Sequence, residues 1–191
     1  MNSDIINILT RPLECEWSVQ GLGFMRTYLN DTQRLHIWNK SLAILGATPL
    51  HNHPWNFCSE VHFGEVRQHR AVIIRDEDSS INGMRYTQQK ILCGEGGGIV
   101  DESKSVRLAT KPMEVYSAGQ TYHQQADEIH YSYPANNTVT LITREFLVDK
   151  NHAYVFVPMG AEFVSAHPRP ATRAEILFIT REVLHAYQEQ S

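Results

Sequence analysis

Apolar and polar residues alternate in short segments along most of the chain, and polar or glycine-containing turns separate the segments. Residues 24–29 and 34–39 flank a polar stretch and predict a β-hairpin. Further β-branched and aromatic segments predict strands at 57–66, 67–75, 84–92 and 138–146. Because turns recur every ~8–12 residues, the pattern predicts an all-β sandwich or barrel.

The C-terminal segment follows a helical period instead. Thr172 and Glu175 fit a capping box, and an apolar stripe follows at helical spacing, formed by Ile176, Ile179, Val183 and Tyr187. We expect a helix over about residues 172–189 whose apolar face packs on the outside of the barrel. Residues 95–105, rich in glycine and charge, are predicted to form a loop.

Composition limits the classes of function. The 191 residues suit one domain, and a formal charge of -4 gives no sign of a nucleic-acid partner. No apolar run approaches the ~20 residues that span a bilayer, and the mixed, acidic start is unlike a secretory leader, so we expect a cytoplasmic protein without a membrane partner. Three distant cysteines, Cys15, Cys58 and Cys93, are interpreted as free thiols.

One short motif gives the clearest indication of a functional site. His51 and His53 are separated by one residue, and alternate residues of a strand point to the same face about 7 Å apart, so both imidazoles can reach one ion. A divalent metal needs at least one further donor. The residues that could supply it are Glu60, His62, His123 and His130.

The arrangement of these residues resembles the cupins. The first cupin motif contains a His-x-His pair and a later glycine, which His51, His53 and Gly64 match. The second motif places a glycine and a histidine at a fixed spacing, which Gly119 and His130 match.

The resemblance implies a cupin-like jelly-roll β-barrel over about residues 23–148, within a single domain of residues 1–191. It implies that His51, His53 and His130 hold a metal inside the barrel. His123, in the same segment as His130, is the alternative third ligand.

The cupin glutamate is missing, because its position falls on Phe57 or Cys58. In this respect the chain resembles the three-histidine thiol dioxygenases, such as cysteine dioxygenase. That family also has a cysteine five residues after the second histidine, where this chain has Cys58. The tyrosine to which the family's cysteine is cross-linked has no counterpart between residues 138 and 150. The resemblance implies Fe(II) as cofactor, with O2 and a small carboxylate- or thiol-bearing molecule as substrates.

Further residues follow from this comparison. Arg26 is similar in position to the arginine that binds the substrate carboxylate in the thiol dioxygenases. Arg34, on the adjoining strand, is an alternative for this role. Trp55 and Phe57 are predicted to form apolar walls of the substrate site. Cys58 and Tyr122 are the candidate catalytic residues, Tyr122 as a hydrogen-bond donor to bound oxygen.

Two other functions stay open at this point. Imidazole ligands also suit zinc and nickel, and a cupin isomerase or hydrolase would use zinc, manganese or nickel without O2. A cupin-like module that binds a small ligand without catalysis is the second alternative. A homodimer is a further possibility, with the apolar N-terminal segment around Ile5 and Leu9 as a candidate contact.

Overall fold

The computed structural model describes residues 1–43, 50–78, 82–93, 99–147, 151–161 and 168–190. Helix α1 spans Ser3–Thr10 and helix α2 spans Arg173–Gln190. The strands are β1 Ser18–Gln20, β2 Phe24–Tyr28, β3 Gln33–Trp38, β4 Leu50–His51, β5 Trp55–Phe63, β6 Glu65–Ile74, β7 Met84–Leu92, β8 Ile99–Thr110, β9 Glu114–Ser117, β10 Thr121–Gln124, β11 Ile129–Pro134, β12 Thr138–Leu147, β13 His152–Pro158 and β14 Arg169–Pro170.

The strands form two antiparallel sheets. Sheet I has the order β10-β5-β12-β3-β2-β1-β14, and sheet II has the order β11-β4-β13-β7-β8-β6-β9, with β11 also pairing with β6. Strands far apart in sequence therefore become neighbours, as in a jelly roll. The all-β, cupin-like fold class is confirmed, and the predicted hairpin is formed by β2 and β3.

Helix α2 packs on the outer face of sheet I, as predicted. Its apolar stripe joins one buried cluster with α1 and with strands β2, β3 and β12; the members include Ile5, Leu9, Met25, Leu35, Ile37, Val139, Ile176, Ile179 and Val183. The capping box is also present, because the Glu175 amide donates to Thr172 Oγ1 at 3.2 Å and the Thr172 amide donates to Glu175 at 2.8 Å. None of the helices described here is both long and apolar enough to cross a membrane.

Residues 95–105 differ from the expectation of a loop. Residues 94–98 lie outside the described ranges, but strand β8 already begins at residue 99. Its first half pairs with β7, with Lys104 opposite Gln88, and residues 102–105 are exposed. The charged composition of this segment predicted a loop. Backbone pairing with the neighbouring strand β7 instead forms a strand, and the side chains of residues 102–105 stay exposed to water.

Strand β5 shows which face of sheet I points into the barrel. Burial alternates along it, and Phe57, Ser59 and Val61 are buried while Cys58 and Glu60 are not. Since successive side chains point to opposite faces, Phe57, Ser59 and Val61 face the interior. The β5–β6 turn brings the chain back at Gly64, which has a φ of 78°.

We expect Gly64→Ala to destabilise the fold more than Gly119→Ala. Both glycines have a positive φ, which costs other residues about 1–2 kcal/mol. A Cβ at Gly64 would also lie 3.0 Å from Thr138 Cα and clash with the Thr138 hydroxyl, whereas nothing lies within 4 Å at Gly119. Urea unfolding should show an additional loss of about 1–3 kcal/mol for Gly64→Ala. Equal losses in the two variants would contradict the close packing of this turn.

Candidate metal centre

Strand pairing places two of the three candidate ligand histidines side by side. His51 lies at the end of β4, directly opposite His130 on β11. His53 follows two residues later, and its amide donates to the Ala126 carbonyl at 3.0 Å. The intervening Asn52 fixes the direction of the segment, because its side chain accepts a hydrogen bond from the Tyr154 amide at 2.6 Å.

The three imidazoles converge inside the barrel. His53 Nε2 lies 2.8 Å from His130 Nε2. The ring centroids are 4.8 Å apart for His51 and His53, 4.7 Å for His51 and His130, and 5.0 Å for His53 and His130. One nitrogen from each ring lies within 4.8 Å of the others, so the group could hold a metal ion.

Burial keeps two of these imidazoles neutral. Desolvation, together with the neighbouring histidines, lowers the pKa of His53 and His130 well below 6.5. Gln68 Oε1 lies 3.0 Å from His130 Nδ1, so Nδ1–H donates to the amide and leaves Nε2 as the unprotonated nitrogen, facing His53. Neutral imidazoles whose ring nitrogens converge, one of them oriented by a buried amide, have the donor chemistry that divalent metals require.

A cavity of about 70 Å³ adjoins the three histidines. Arg34 and His36 of β3 line the cavity together with side chains that are mostly aromatic or aliphatic. These further lining residues are Leu22, Phe24, Trp38, Phe57, Tyr122, Tyr131, Ser132 and Ile142. His36 is buried and stacks on Phe24 with a centroid distance of 4.4 Å, and neither of its ring nitrogens has a hydrogen-bond partner among the described residues. The cavity therefore has unsatisfied polar groups on the side facing the histidines.

Arg34, and not Arg26, lines this cavity. The Arg34 guanidinium lies 4.5 Å over the Trp55 ring, and its buried Nε has no hydrogen-bond partner in the part of the chain that the structure describes. Burial, followed by the charge of Arg26, lowers the pKa of Arg34 to about 10. The Arg26 guanidinium lies 4.9 Å over the Tyr28 ring, beside the cavity.

Three other residues selected from the sequence lie at or beside the cavity. Phe57 and Tyr122 line it, and Trp55 contacts His53 with a ring-centroid distance of 4.8 Å. Burial raises the pKa of Tyr122, and the nearby side chains of Ser59, Gln68 and Ser132 oppose this shift. Tyr122 thus lies near the amide that orients His130.

Cys58 and His123 lie on the opposite face of sheet I. Cys58 is next to the inward-facing Phe57 and does not line the cavity, because consecutive strand residues alternate between faces. His123 is directly opposite Cys58 and is next to the inward-facing Tyr122. Glu60 shares the strand parity of Cys58. The geometry therefore groups His130, and not His123, with the His51–His53 pair.

Sequence reasoning missed two polar residues at the site, His36 and Gln68. Each occupies an inward position of its strand, where an apolar residue is the usual choice. For His36 a signal existed, because Arg34, His36 and Trp38 alternate with Leu35 and Ile37 and must share one face. Gln68 carries no comparable signal, since its role depends on the pairing of β6 with β11.

No protein-family model and no curated protein sequence matches the chain. Among solved structures, the chain is similar to the crystal structure of hydroquinone 1,2-dioxygenase from Sphingomonas sp. TTNP3 with 4-hydroxybenzoate bound. The similarity covers 60% of each chain, at 10% identity and a TM-score of 0.33. It therefore spans less than two thirds of that dioxygenase, and a TM-score of this size carries no information about the reaction of this protein.

Acid should destabilise the metal-free protein through its buried histidines. Burial lowers the pKa of His36, His53 and His130 well below 6.5, so the unfolded chain binds more protons as the pH falls below that value. Stability is then full above about pH 6.5 and is lost as the pH falls towards the folded-state values, by about 1.4 kcal/mol per pH unit for each histidine.

Urea unfolding at several pH values, with a chelator present, measures this slope. His36→Gln should reduce it by about 1.4 kcal/mol per pH unit. His185→Gln, which alters an exposed histidine of α2, should leave it unchanged. An unaltered slope in His36→Gln would contradict the neutral, buried state of His36.

Proposed function

We propose that His51, His53 and His130 bind Fe(II) and that the protein is a non-haem dioxygenase for a small carboxylate- or thiol-bearing molecule. The observation that carries the proposal is the convergence of three imidazoles, two of them held neutral by burial, on one wall of a cavity whose other wall holds a buried arginine. Either feature alone is common in proteins. Together they suggest a site for a metal and an anionic ligand.

The ligand set restricts the metal without selecting it. Neutral imidazole suits iron, zinc, copper and nickel, and iron follows from the resemblance to the three-histidine dioxygenases. When bound, Fe(II) would supply the site at which O2 and the substrate react. Gln68 would keep His130 in the tautomer that offers Nε2, and Asn52 would hold His51 and His53 in direction.

Arg34 is the best candidate for recognising a substrate carboxylate. Its guanidinium is buried beside the histidines, and the charged groups that act on it are Arg26, Tyr28 and Arg144, none of them a carboxylate. Among the described residues, no anion compensates this cation beside two other arginines, and a carboxylate can accept two parallel hydrogen bonds from a guanidinium. Arg34 therefore replaces Arg26 in this role.

The cavity argues for a small substrate. Its 70 Å³ is far below the ~300–1,000 Å³ of sites for drug-sized ligands. The unpartnered ring nitrogens of His36 offer further hydrogen-bond positions to a bound molecule. Phe57 and Tyr122 close the same space with aromatic surface, which would exclude water from the reaction.

We predict that the purified protein binds about one Fe(II) per chain and consumes O2 with small thiols or carboxylates. Because a metal needs at least three donors here, His51→Ala/His53→Ala should lose the metal and the O2 uptake. His185→Ala, on the exposed side of α2, is the matched control and should retain both. Elemental analysis and an oxygen electrode measure the two quantities.

Two outcomes would contradict this function. The first is a folded double variant that binds the metal as tightly as the wild type. The second is conversion of substrate without O2 by protein carrying zinc, manganese or nickel, which would favour an isomerase or hydrolase. Bound metal with a ligand that stays unaltered in air would instead favour a binding module.

We expect Arg34→Met to weaken carboxylate binding while Arg26→Met does not. A charge-assisted hydrogen bond contributes about 1.5–3 kcal/mol, so KM for the best carboxylate substrate should rise about 10–150-fold in Arg34→Met. Methionine fills the space of the aliphatic stem, and loss of one of three neighbouring cations relieves repulsion, so the fold should survive. Equal effects of the two substitutions on KM would show that Arg34 has no special role.

A further inference from the structure

A second cluster of metal-ligating side chains lies on the outer face of sheet I. Cys58 is on β5, the middle strand of three, His123 is directly opposite it on β10, and Glu145 is on β12. One donor atom from each lies within 4.8 Å of the others. The three residues supply one sulfur, one nitrogen and one oxygen.

The side chains of the two outer strands meet across the middle strand. His123 Nδ1 lies 3.0 Å from Glu145 Oε1, although β5 separates β10 from β12 in the sheet. Because His123 and Glu145 meet across β5, their polar atoms lie over Cys58, the residue between them. The three donor atoms therefore lie close together on this face, with the sulfur nearest the sheet.

Glu145 lies at a β-bulge of strand β12. Arg144 is opposite Phe57 and Phe146 is opposite Asn56, so Glu145 is an extra residue without a partner on β5. Bulges re-aim side chains and interrupt regular pairing, and a regular strand has no need of one at this point. The irregularity of β12 therefore coincides with the residue that completes the cluster.

The surroundings favour a cation. Burial raises the pKa of the Cys58 thiol, and the nearby carboxylates of Glu145 and Glu60 raise it further. A thiol in this state is a poor nucleophile, since reactive cysteines have a lowered pKa. The His123 side chain is 60% exposed and that of Glu145 is 33% exposed, so an ion can enter from solvent.

We propose that Cys58, His123 and Glu145 form a second metal site, which binds zinc and ties strands β10, β5 and β12 together. Zinc accepts thiolate, imidazole and carboxylate ligands, with water at a remaining position. Calcium and magnesium take oxygen ligands and do not fit a site with sulfur and nitrogen. Binding replaces the thiol proton, so Cys58–SH and the ion give a metal–thiolate bond and one released proton.

Cobalt(II) is the probe that separates this site from the three histidines inside the barrel. Only a cysteine ligand gives the charge-transfer absorption of a cobalt–thiolate bond, and the interior histidine site has none. The wild-type protein titrated with Co(II) should develop this absorption and release one proton for each ion bound at Cys58. Zinc should abolish the absorption by competition and raise the melting temperature.

The variants decide which cysteine is involved. Cys58→Ser should lose the absorption and the part of the zinc-dependent rise in melting temperature that His51→Ala/His53→Ala retains, whereas Cys93→Ser, at an exposed free cysteine, should keep both. Glu145→Gln should bind Co(II) about tenfold or more weakly, since loss of a mere orienting partner of a ligand already costs that much. His51→Ala/His53→Ala should keep the absorption, so failure of the interior site would leave this result intact.

Absence of the absorption in the wild type would overturn the proposal. Its persistence in Cys58→Ser would do the same, as would its loss in Cys93→Ser alone.

Discussion

The antiparallel pairing of β4 with β11 is the constraint on which the candidate site depends. It puts His51 directly opposite His130, and the short extended segment after β4 brings His53 Nε2 to 2.8 Å from His130 Nε2. Three imidazoles in so small a space cannot all be charged, and burial keeps two of them neutral. The barrel thus holds candidate metal-ligating histidines in the neutral state that metal binding requires, and this lowers its stability in acid.

The distribution of apolar residues leaves room for such a site. The largest buried cluster lies outside the barrel, between sheet I and the two helices, with Ile176, Ile179 and Val183 of α2 packed against Leu35 and Ile37. Because that cluster buries the outer face of β3, its inner face is free to carry Arg34 and His36. Sheet II supplies one smaller apolar cluster of the interior, and another is formed mainly by residues of sheet I together with Val66 of sheet II. The helices therefore contribute to function indirectly, by stabilising a barrel whose interior is partly polar.

Much of this could be predicted from the sequence, where the signal is local. Four short-range patterns illustrate this: the His-x-His pair, the spacing of Gly119 and His130, the β2–β3 hairpin and the capping box of α2. The hairpin and the capping box form at the predicted residues, and His51 lies opposite His130. The face of a strand is harder to predict. A shift of one residue exchanges the two faces, so the sequence could not decide whether Cys58 points into the cavity or away from it.

The roles of Arg34 and Glu145 depend on long-range structure. Arg26 and Arg34 lie on adjacent strands with their side chains on the same face, and only the positions of the cavity and of Trp55 distinguish them. Glu145 lies near Cys58 and His123 at a bulge in β12, and the sequence around residue 145 does not predict that bulge.

The central claim is that His51, His53 and His130 share one metal ion. Crystals grown with Fe(II) under anaerobic conditions, with diffraction measured on both sides of the iron absorption edge, test it most directly. We expect a strong anomalous peak between the three imidazoles, within bonding distance of a nitrogen of each. A map without density there, in which His53 and His130 remain hydrogen-bonded to each other, would rule out a shared metal ion.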